Sequence, residues 1–302
     1  MSADPRFDRL IETRFPGARL LAASLLAGGV SATTSLLEVE LADGGRRRVV
    51  VREHGPRHCG HDFDTEHRLL RSLQALGVKA PPPLGAGAGW DGGGPYVLLA
   101  FVPGSTEIAA EEARSRIELM AGELVTIHHT PTAALPALPL RTEPLPELLD
   151  YLPTGAAWAP IRAGFRGFQH APFGGSPVLL HGDFWPGNVV WRDGRVAAVL
   201  DWEDAAVGDP LSDVACGCLE LSYLFGAEGA RWFRDAYAAV EAVDPVRFAL
   251  WQAYVAAAAQ SNMAAWALPP DREAMMRRTA LASLREAARV LGLPGSSPPP
   301  ES

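Results

Sequence analysis

The sequence predicts an α+β chain in two parts: a small antiparallel sheet with one main helix, then a larger, mostly helical remainder. Three observations carry this. Between residues 20 and 102, short apolar or alternating stretches are separated by glycine- and proline-rich turns. Residues 111–128 and four stretches beyond residue 211 repeat apolar side chains at helical spacing. Pro103-Gly104 stands between the two regimes and reads as a linker. The expected division is therefore residues 1–103, residues 104–292 and a tail at 293–302. The tail ends in PGSSPPPES, which has no means of burying itself.

Each element has a local reason. Residues 20–26 are apolar, Gly28-Gly29-Val30-Ser31 is a loop, and residues 36–41 alternate. Asp43-Gly44-Gly45 turns the chain into the β-branched stretch 48–52, completing an antiparallel meander. Residues 62–76 place Phe63, Glu66, Leu70 and Leu73 at helical spacing, and Gly77 ends the helix. Residues 84–89 and 96–102 form a second strand pair after three prolines. In the helix at 111–128, Ile117, Met120, Leu124 and Ile127 share a face. Residues 130–177 are rich in proline and glycine, with short helices around Leu148 and Ile161. A strand at 178–180 precedes a hairpin, 189–191 with 196–200, that turns at Asp193-Gly194. Helices follow at 211–225, 231–240, 245–266 and 271–291.

Composition narrows the function classes. With 27 basic and 35 acidic side chains the 302-residue chain has a net charge of −8. That argues against nucleic acid and anionic membrane as partners and tolerates a cationic ligand. No secretory signal or bilayer-length apolar run is visible in the sequence. Three cysteines, Cys59, Cys216 and Cys218, make no disulfide framework, so a cytoplasmic location is expected. Cys216 and Cys218 read as helix thiols, because no second pair has zinc spacing.

Chemistry concentrates in LLHGDFWPGNVVWRDGRVAAVLDWEDAAVGDPLSDVA, residues 179–215. Asp183 follows a buried-type strand, Asn188 lies five positions on, and Asp201 thirteen beyond that. This is the spacing of a kinase catalytic loop followed by its metal-binding aspartate. Asp183 reads as a base for an acceptor hydroxyl, or singly as a loop cap. Asn188 and Asp201 offer hard oxygens suited to Mg2+, or singly as strand-end turn residues. His181 reads as a structural residue that tightens the loop, and His128 as a core histidine. Glu203 and Asp204 stay open between a metal contact, a cationic-substrate contact and, for Asp204, a helix cap. Asp209-Pro210 and Asp213 read as a helix start.

In the first part, Gly28, Gly29 and Ser31 could wrap nucleotide phosphates with backbone N–H groups, or form an ordinary turn. Arg52 ends the third strand where kinases carry a phosphate-gripping lysine, and Glu66 sits where its ion-pair partner belongs. The alternative for Arg52 is a surface residue of the basic stretch 46–48.

These residues resemble the aminoglycoside phosphotransferase / choline kinase-like family. The likeness is strongest over 179–215, moderate over 24–104 and faint beyond 220. It implies a protein-kinase-like two-lobe fold, with a nucleotide-binding small lobe and a helical large lobe. It further implies transfer of the γ-phosphate of ATP or GTP to a hydroxyl on a small molecule. Asp183 would be the catalytic base, Asn188 and Asp201 the Mg2+ ligands, and Arg52 with Glu66 would hold the nucleotide. The acceptor is left open across aminoglycosides, macrolides, amino alcohols and sugars, and the oligomeric state is undetermined. Trp185 and nearby acids would suit a cationic amino alcohol. Two other classes compete: a nucleotide-binding pseudokinase that docks a partner, and a nucleotide-independent metal hydrolase. The first would be marked by loss of Asp183, Asn188 or Asp201, all present. The second leaves Arg52 and Glu66 without a role.

Overall fold

The computed structural model describes residues 5–26, 32–55, 58–90, 93–169 and 172–293. Gly28, Gly29 and Ser31 lie outside the described residues, as does the tail from 294. The chain divides into two compact units. One comprises Met1–Ser105, Ala133–Ala137 and Val190–Asp204, and the other comprises Thr106–Thr132, Leu138–Val189 and Ala205–Ser302. The hairpin after Asn188, which the sequence reading assigned to the helical part, thus packs with the first unit.

The first unit is a five-stranded antiparallel sheet in the order β1-β2-β3-β5-β4. Its strands are β1 (Arg19–Leu25), β2 (Ala32–Glu40), β3 (Arg46–His54), β4 (Pro83–Gly87) and β5 (Tyr96–Ala100). The two expected strand pairs are therefore one sheet, joined by β3 against β5. Period-two alternation puts Leu37, Val39, Val49, Val51, Tyr96 and Leu98 on one face. That face packs with Phe7, Leu10 and Ile11 of α1 (Pro5–Arg14), a helix the sequence reading did not anticipate. Arg52 and His54 share the other face of β3. The helix α2 (Phe63–Ala75) begins where Asp62 accepts the N–H groups of Asp64 and Thr65 at 3.0 and 2.8 Å. This is a side-chain cap that satisfies two otherwise orphaned donors.

The second unit is mostly helical: α3 (Ala113–His128), α4 (Glu147–Tyr151), α5 (Ala159–Arg166), α6 (Leu211–Ala238), α7 (Pro245–Asn262) and α8 (Pro270–Val290). Small residues, Ala253, Ala256, Ala257, Ala280 and Ala287 among them, let α7 and α8 approach closely around one core. The stretches 211–225 and 231–240, expected as two helices, are two helical segments of α6 that meet at a kink. The helix breaks at Gly226, whose φ of 67° and ψ of −169° leave helical space. Glycine populates that region without a Cβ clash, so the break is local and the helix resumes. The expected strand at 178–180 is β7 (Val178–Leu180), and it lies in a three-stranded sheet with β6 (Leu140–Arg141) and β10 (Ala206–Gly208), two strands that were not foreseen. Residues 140–141 and 206–208 carry too little pattern to be read in advance.

The strands β8 (Val189–Arg192) and β9 (Arg195–Val199) form the expected hairpin. Asp193 and Gly194 have φ of 51° and 76°, the left-handed pair that suits a two-residue turn. Among the described residues, no helix is long and apolar enough to cross a membrane.

Candidate active site

In the second unit the site is a loop held from below. β7 ends at Leu180 and the chain turns through His181, Gly182 and Asp183. Gly182 takes a φ of 88°, which side chains other than glycine rarely adopt. His181 is fully buried, and its Nδ1 accepts the Asp183 N–H at 3.2 Å. The Nδ2 of Asn188 donates to the Asp183 carbonyl at 2.9 Å and to the Asp183 Oδ2 at 3.1 Å. Both amide hydrogens are thus directed to Asp183, which turns the Asn188 Oδ1 away as an unspent acceptor.

The loop's anchor is Asp213, in the first turn of α6. Its Oδ2 accepts the His181 N–H at 2.7 Å, and its Oδ1 accepts the Gly182 N–H at 2.9 Å. His128 of α3 lies 3.3 Å from the Asp213 Oδ2 through Nε2 and 2.8 Å from the Tyr237 hydroxyl through Nδ1. A neutral ring protonated on Nε2 satisfies both contacts, with the tyrosine donating. Burial by itself would raise the Asp213 carboxyl. The contacts from His128 and the His181 backbone overcome that and hold it below the usual carboxylate range. Asp209 does more than open a helix. Its Oδ1 accepts the Leu211 N–H at 3.0 Å, while its Oδ2 accepts from Arg247 and the Trp251 indole, both at 2.7 Å.

In the first unit the centre is Arg52, only 7% exposed, which rules out a place in the surface basic stretch. Its Nη1 donates to the Glu66 Oε1 at 2.5 Å and its Nη2 to the Glu203 Oε2 at 2.6 Å. Asp201 Oδ1 lies 2.9 Å from the same Nη2, as an ion pair whose angles do not make a hydrogen bond. His54 Nε2 bonds the second oxygen of Glu66 at 2.9 Å. His58 stacks on His54 at 3.8 Å between ring centroids and approaches Glu203 at 3.3 Å. Burial would lower the Arg52 pKa, but Glu66, Asp201 and Glu203 raise it, so the guanidinium stays charged. Burial pushes the Asp201 carboxyl up to about 6; Arg52 opposes this, and Glu203, Glu66 and Asp204 add to it. Three carboxylates against one guanidinium leave this cluster with excess negative charge, which a cation would balance.

Within the first unit, therefore, Arg52, Glu66 and Asp201 meet, and Glu203 joins them. Within the second, Asp183 and Asn188 meet. Sequence reasoning missed His54 and His58 and saw Asp213 only as a helix opener. His54 had a readable signal, because it lies two residues from Arg52 on the same strand face. Asp213 had none, since its partners are 32 and 85 positions away in sequence. No group of three or more His, Cys, Asp or Glu among the described residues is arranged to hold a metal alone.

Known proteins match this architecture. Residues 23–258 fit the model of the phosphotransferase enzyme family. Viomycin phosphotransferase of Streptomyces vinaceus is 30% identical over 176 residues, 49% of this chain and 58% of that protein. Acyl-CoA dehydrogenase family member 10 of Mus musculus is 28% identical over 196 residues, 58% of this chain but 18% of that protein. The chain thus spans less than two thirds of these relatives. In fold it is similar to a thermostable mutant of aminoglycoside phosphotransferase APH(4)-Ia, solved with AMP-PNP and hygromycin B. The TM-score is 0.68 at 17% identity, over 93% of this chain and 98% of that one. It is also similar to a macrolide 2'-phosphotransferase from Brachybacterium faecium, with a TM-score of 0.61 at 18% identity, over 91% and 97%. The five-stranded sheet and the helical unit are those of a protein-kinase-like α+β fold, and the chain belongs to the phosphotransferase enzyme family.

Proposed function

We propose that this protein transfers the γ-phosphoryl group of ATP or GTP to a hydroxyl of a small molecule. The observation that carries this reading is the Asp183 carboxylate, tethered by Asn188 on a loop locked by Asp213. In this reading the acceptor hydroxyl hands its proton to Asp183 while its oxygen forms the new bond to the γ-phosphorus. The bond from that phosphorus to the bridging oxygen breaks, and the electron pair leaves with the nucleoside diphosphate. Little else is asked of the protein than position and charge.

The first unit is proposed as the nucleotide side. Arg52, with N–H donors beyond those its carboxylates use, would grip phosphate oxygens, and Glu66 would orient it. Asn188 and Asp201 would hold Mg2+, which supplies neutralisation of phosphate charge when bound. The unspent Asn188 Oδ1 and the buried Asp201 Oδ1, which accepts no hydrogen bond, suit that ion. Free Cys59, Cys216 and Cys218 suit a reducing cytoplasm, where such a donor is available. All three reaction residues are present, so a pseudokinase is not favoured.

A coupled assay of nucleoside diphosphate release, run with ATP and GTP over a panel of hydroxyl compounds, tests the proposal. The panel should include viomycin, hygromycin B and a macrolide. Release that depends on one acceptor is expected. No nucleotide binding and no release with any compound would overturn the reading. Asp201→Ala is expected to weaken Mg-nucleotide binding by about tenfold or more, the loss of one charged ligand. Unchanged affinity by calorimetry removes Asp201 from the metal site. Arg52→Ala should weaken nucleotide binding, Glu66→Ala less so, and Arg52→Lys should keep part of it, since a point charge grips phosphate without the fork. If all three variants bind nucleotide like the wild type, Arg52 has no phosphate to hold.

A further inference from the structure

We propose that His54 and His58 are positioning residues for the phosphate grip: His54 fixes the Glu66 carboxylate that orients Arg52, and His58 fixes the plane of the His54 ring. The proposal rests on the phosphotransferase reading, with Arg52 on the nucleotide, and adds two residues that act through Arg52.

All of these residues belong to the first unit. His54 follows Arg52 by two positions on β3, so both side chains leave the same face of the sheet. Glu66, in the first turn of α2, is buried with its two oxygens divided. Oε1 accepts from Arg52 at 2.5 Å, and Oε2 faces His54 Nε2 at 2.9 Å. Burial would raise the Glu66 carboxyl, but Arg52 and then the His54 bond hold it below the usual carboxylate range. Glu66 is therefore an ionised acceptor, and His54 carries a proton on Nε2. Loss of His54 takes the donor from a buried carboxylate oxygen, which must find another. Arg52 is the cation already in reach, and its fork accepts both oxygens of a carboxylate. Glu66 would then turn toward the guanidinium and pull it out of line.

His58 covers one face of the His54 ring, with centroids 3.8 Å apart and planes at 18°. It is itself held. Its Nε2 lies 2.6 Å from the His61 carbonyl and so donates, and its backbone N–H bonds the Gly55 carbonyl at 3.0 Å. The His61 N–H bonds the Glu203 carbonyl at 2.9 Å, and a Cβ on Gly60 would lie 2.7 Å from the Cβ of Glu203. The segment 58–61 is thus seated on Glu203, whose Oε2 accepts from Arg52 at 2.6 Å and lies 3.3 Å from His58 Nδ1. The contacts close a ring that runs from Arg52 through Glu66, His54, His58 and Glu203 back to Arg52. Each carboxylate that accepts a hydrogen bond from Arg52 has one histidine beside it, and the two histidines are stacked on each other.

The test is calorimetric binding of Mg-AMP-PNP and Mg-GMP-PNP to the full chain, with melting curves to check the fold. His54→Ala should weaken binding by about tenfold, the scale of one charge-assisted hydrogen bond, and by no more than Glu66→Ala does. His54→Gln, whose longer amide reaches the place of Nε2, should restore most of the affinity. His54→Asn, whose amide stands nearer Nδ1, should bind like His54→Ala. In a Glu66→Ala background, His54→Ala should cost nothing further, because His54 acts through Glu66. His58→Phe keeps the stack and should bind more tightly than His58→Ala. A folded His54→Ala protein that binds as the wild type does, or a loss that adds in full to that of Glu66→Ala, overturns the proposal. If His54→Ala does not fold, equal affinities of His54→Gln and His54→Asn overturn it. If His58→Phe binds no better than His58→Ala, the part given to His58 is overturned. A wild type that binds neither nucleotide overturns the phosphotransferase reading as well, whereas wild-type binding with silent histidine variants overturns this proposal alone.

Discussion

Asp183→Asn should fold normally, still bind nucleotide, and lose phosphoryl transfer by about 10²–10⁴-fold, the contribution of a positioned general base. The reason is local. Asn188 donates to the Asp183 backbone carbonyl at 2.9 Å and to its Oδ2 at 3.1 Å. An asparagine at 183 keeps the backbone contact and a side-chain oxygen that can accept, so the loop is retained. What disappears is a group that can take the acceptor's proton. Single-turnover measurement separates this from product release, and melting curves check the fold. Transfer near the wild-type rate would remove Asp183 from the chemistry and leave the loop without its assigned purpose.

Asp213→Ala is expected to be the most damaging substitution to stability in the second unit, at about 3–5 kcal/mol by denaturant unfolding. It strands the N–H groups of His181 and Gly182 and removes the partner of buried His128. Asp213→Asn should cost less, because one carbonyl oxygen still accepts while the new amide meets a donor. The pH dependence has a defined sign. Burial opposes ionisation, but His128 and the His181 backbone win, so the folded carboxyl lies below its unfolded value. Its stabilising contribution is therefore complete above about pH 4, the ordinary aspartate range, and drains away as pH falls through the depressed value. The Ala variant should show a flatter stability curve in that acidic window. If it unfolds at the wild-type denaturant concentration, the loop is held by something other than Asp213.

Because Asp213 anchors the loop across sequence separations of 31 and 32 positions and meets His128 across 85, it marks where reading the chain stops and folding takes over. Period-two patterning in 36–41 and 48–52, helical spacing in 62–76 and 111–128, and the Asp193-Gly194 turn were all legible, because each depends on neighbours within a turn or a strand. The spacing of Asp183, Asn188 and Asp201 was legible for the same reason, and it pointed to the family. Other features were not. The helix Pro5–Arg14 becomes a sheet cover only once Leu37, Val39, Val49 and Val51 assemble a face for it. Short strands at Leu140–Arg141 and Ala206–Gly208 exist because each finds the other.

The sequence by itself determined the α+β class, the order of most elements and the residues proposed to bear the chemistry. Tertiary structure alone decided which acids are anchors. It placed Arg52 among Glu66, Asp201 and Glu203 at 2.5 to 2.9 Å, and it left the Tyr223 hydroxyl without a hydrogen-bond partner among the described residues. The physical reason is that patterning encodes which side of an element is buried, whereas burial of a charge has consequences set by whatever distant groups arrive beside it.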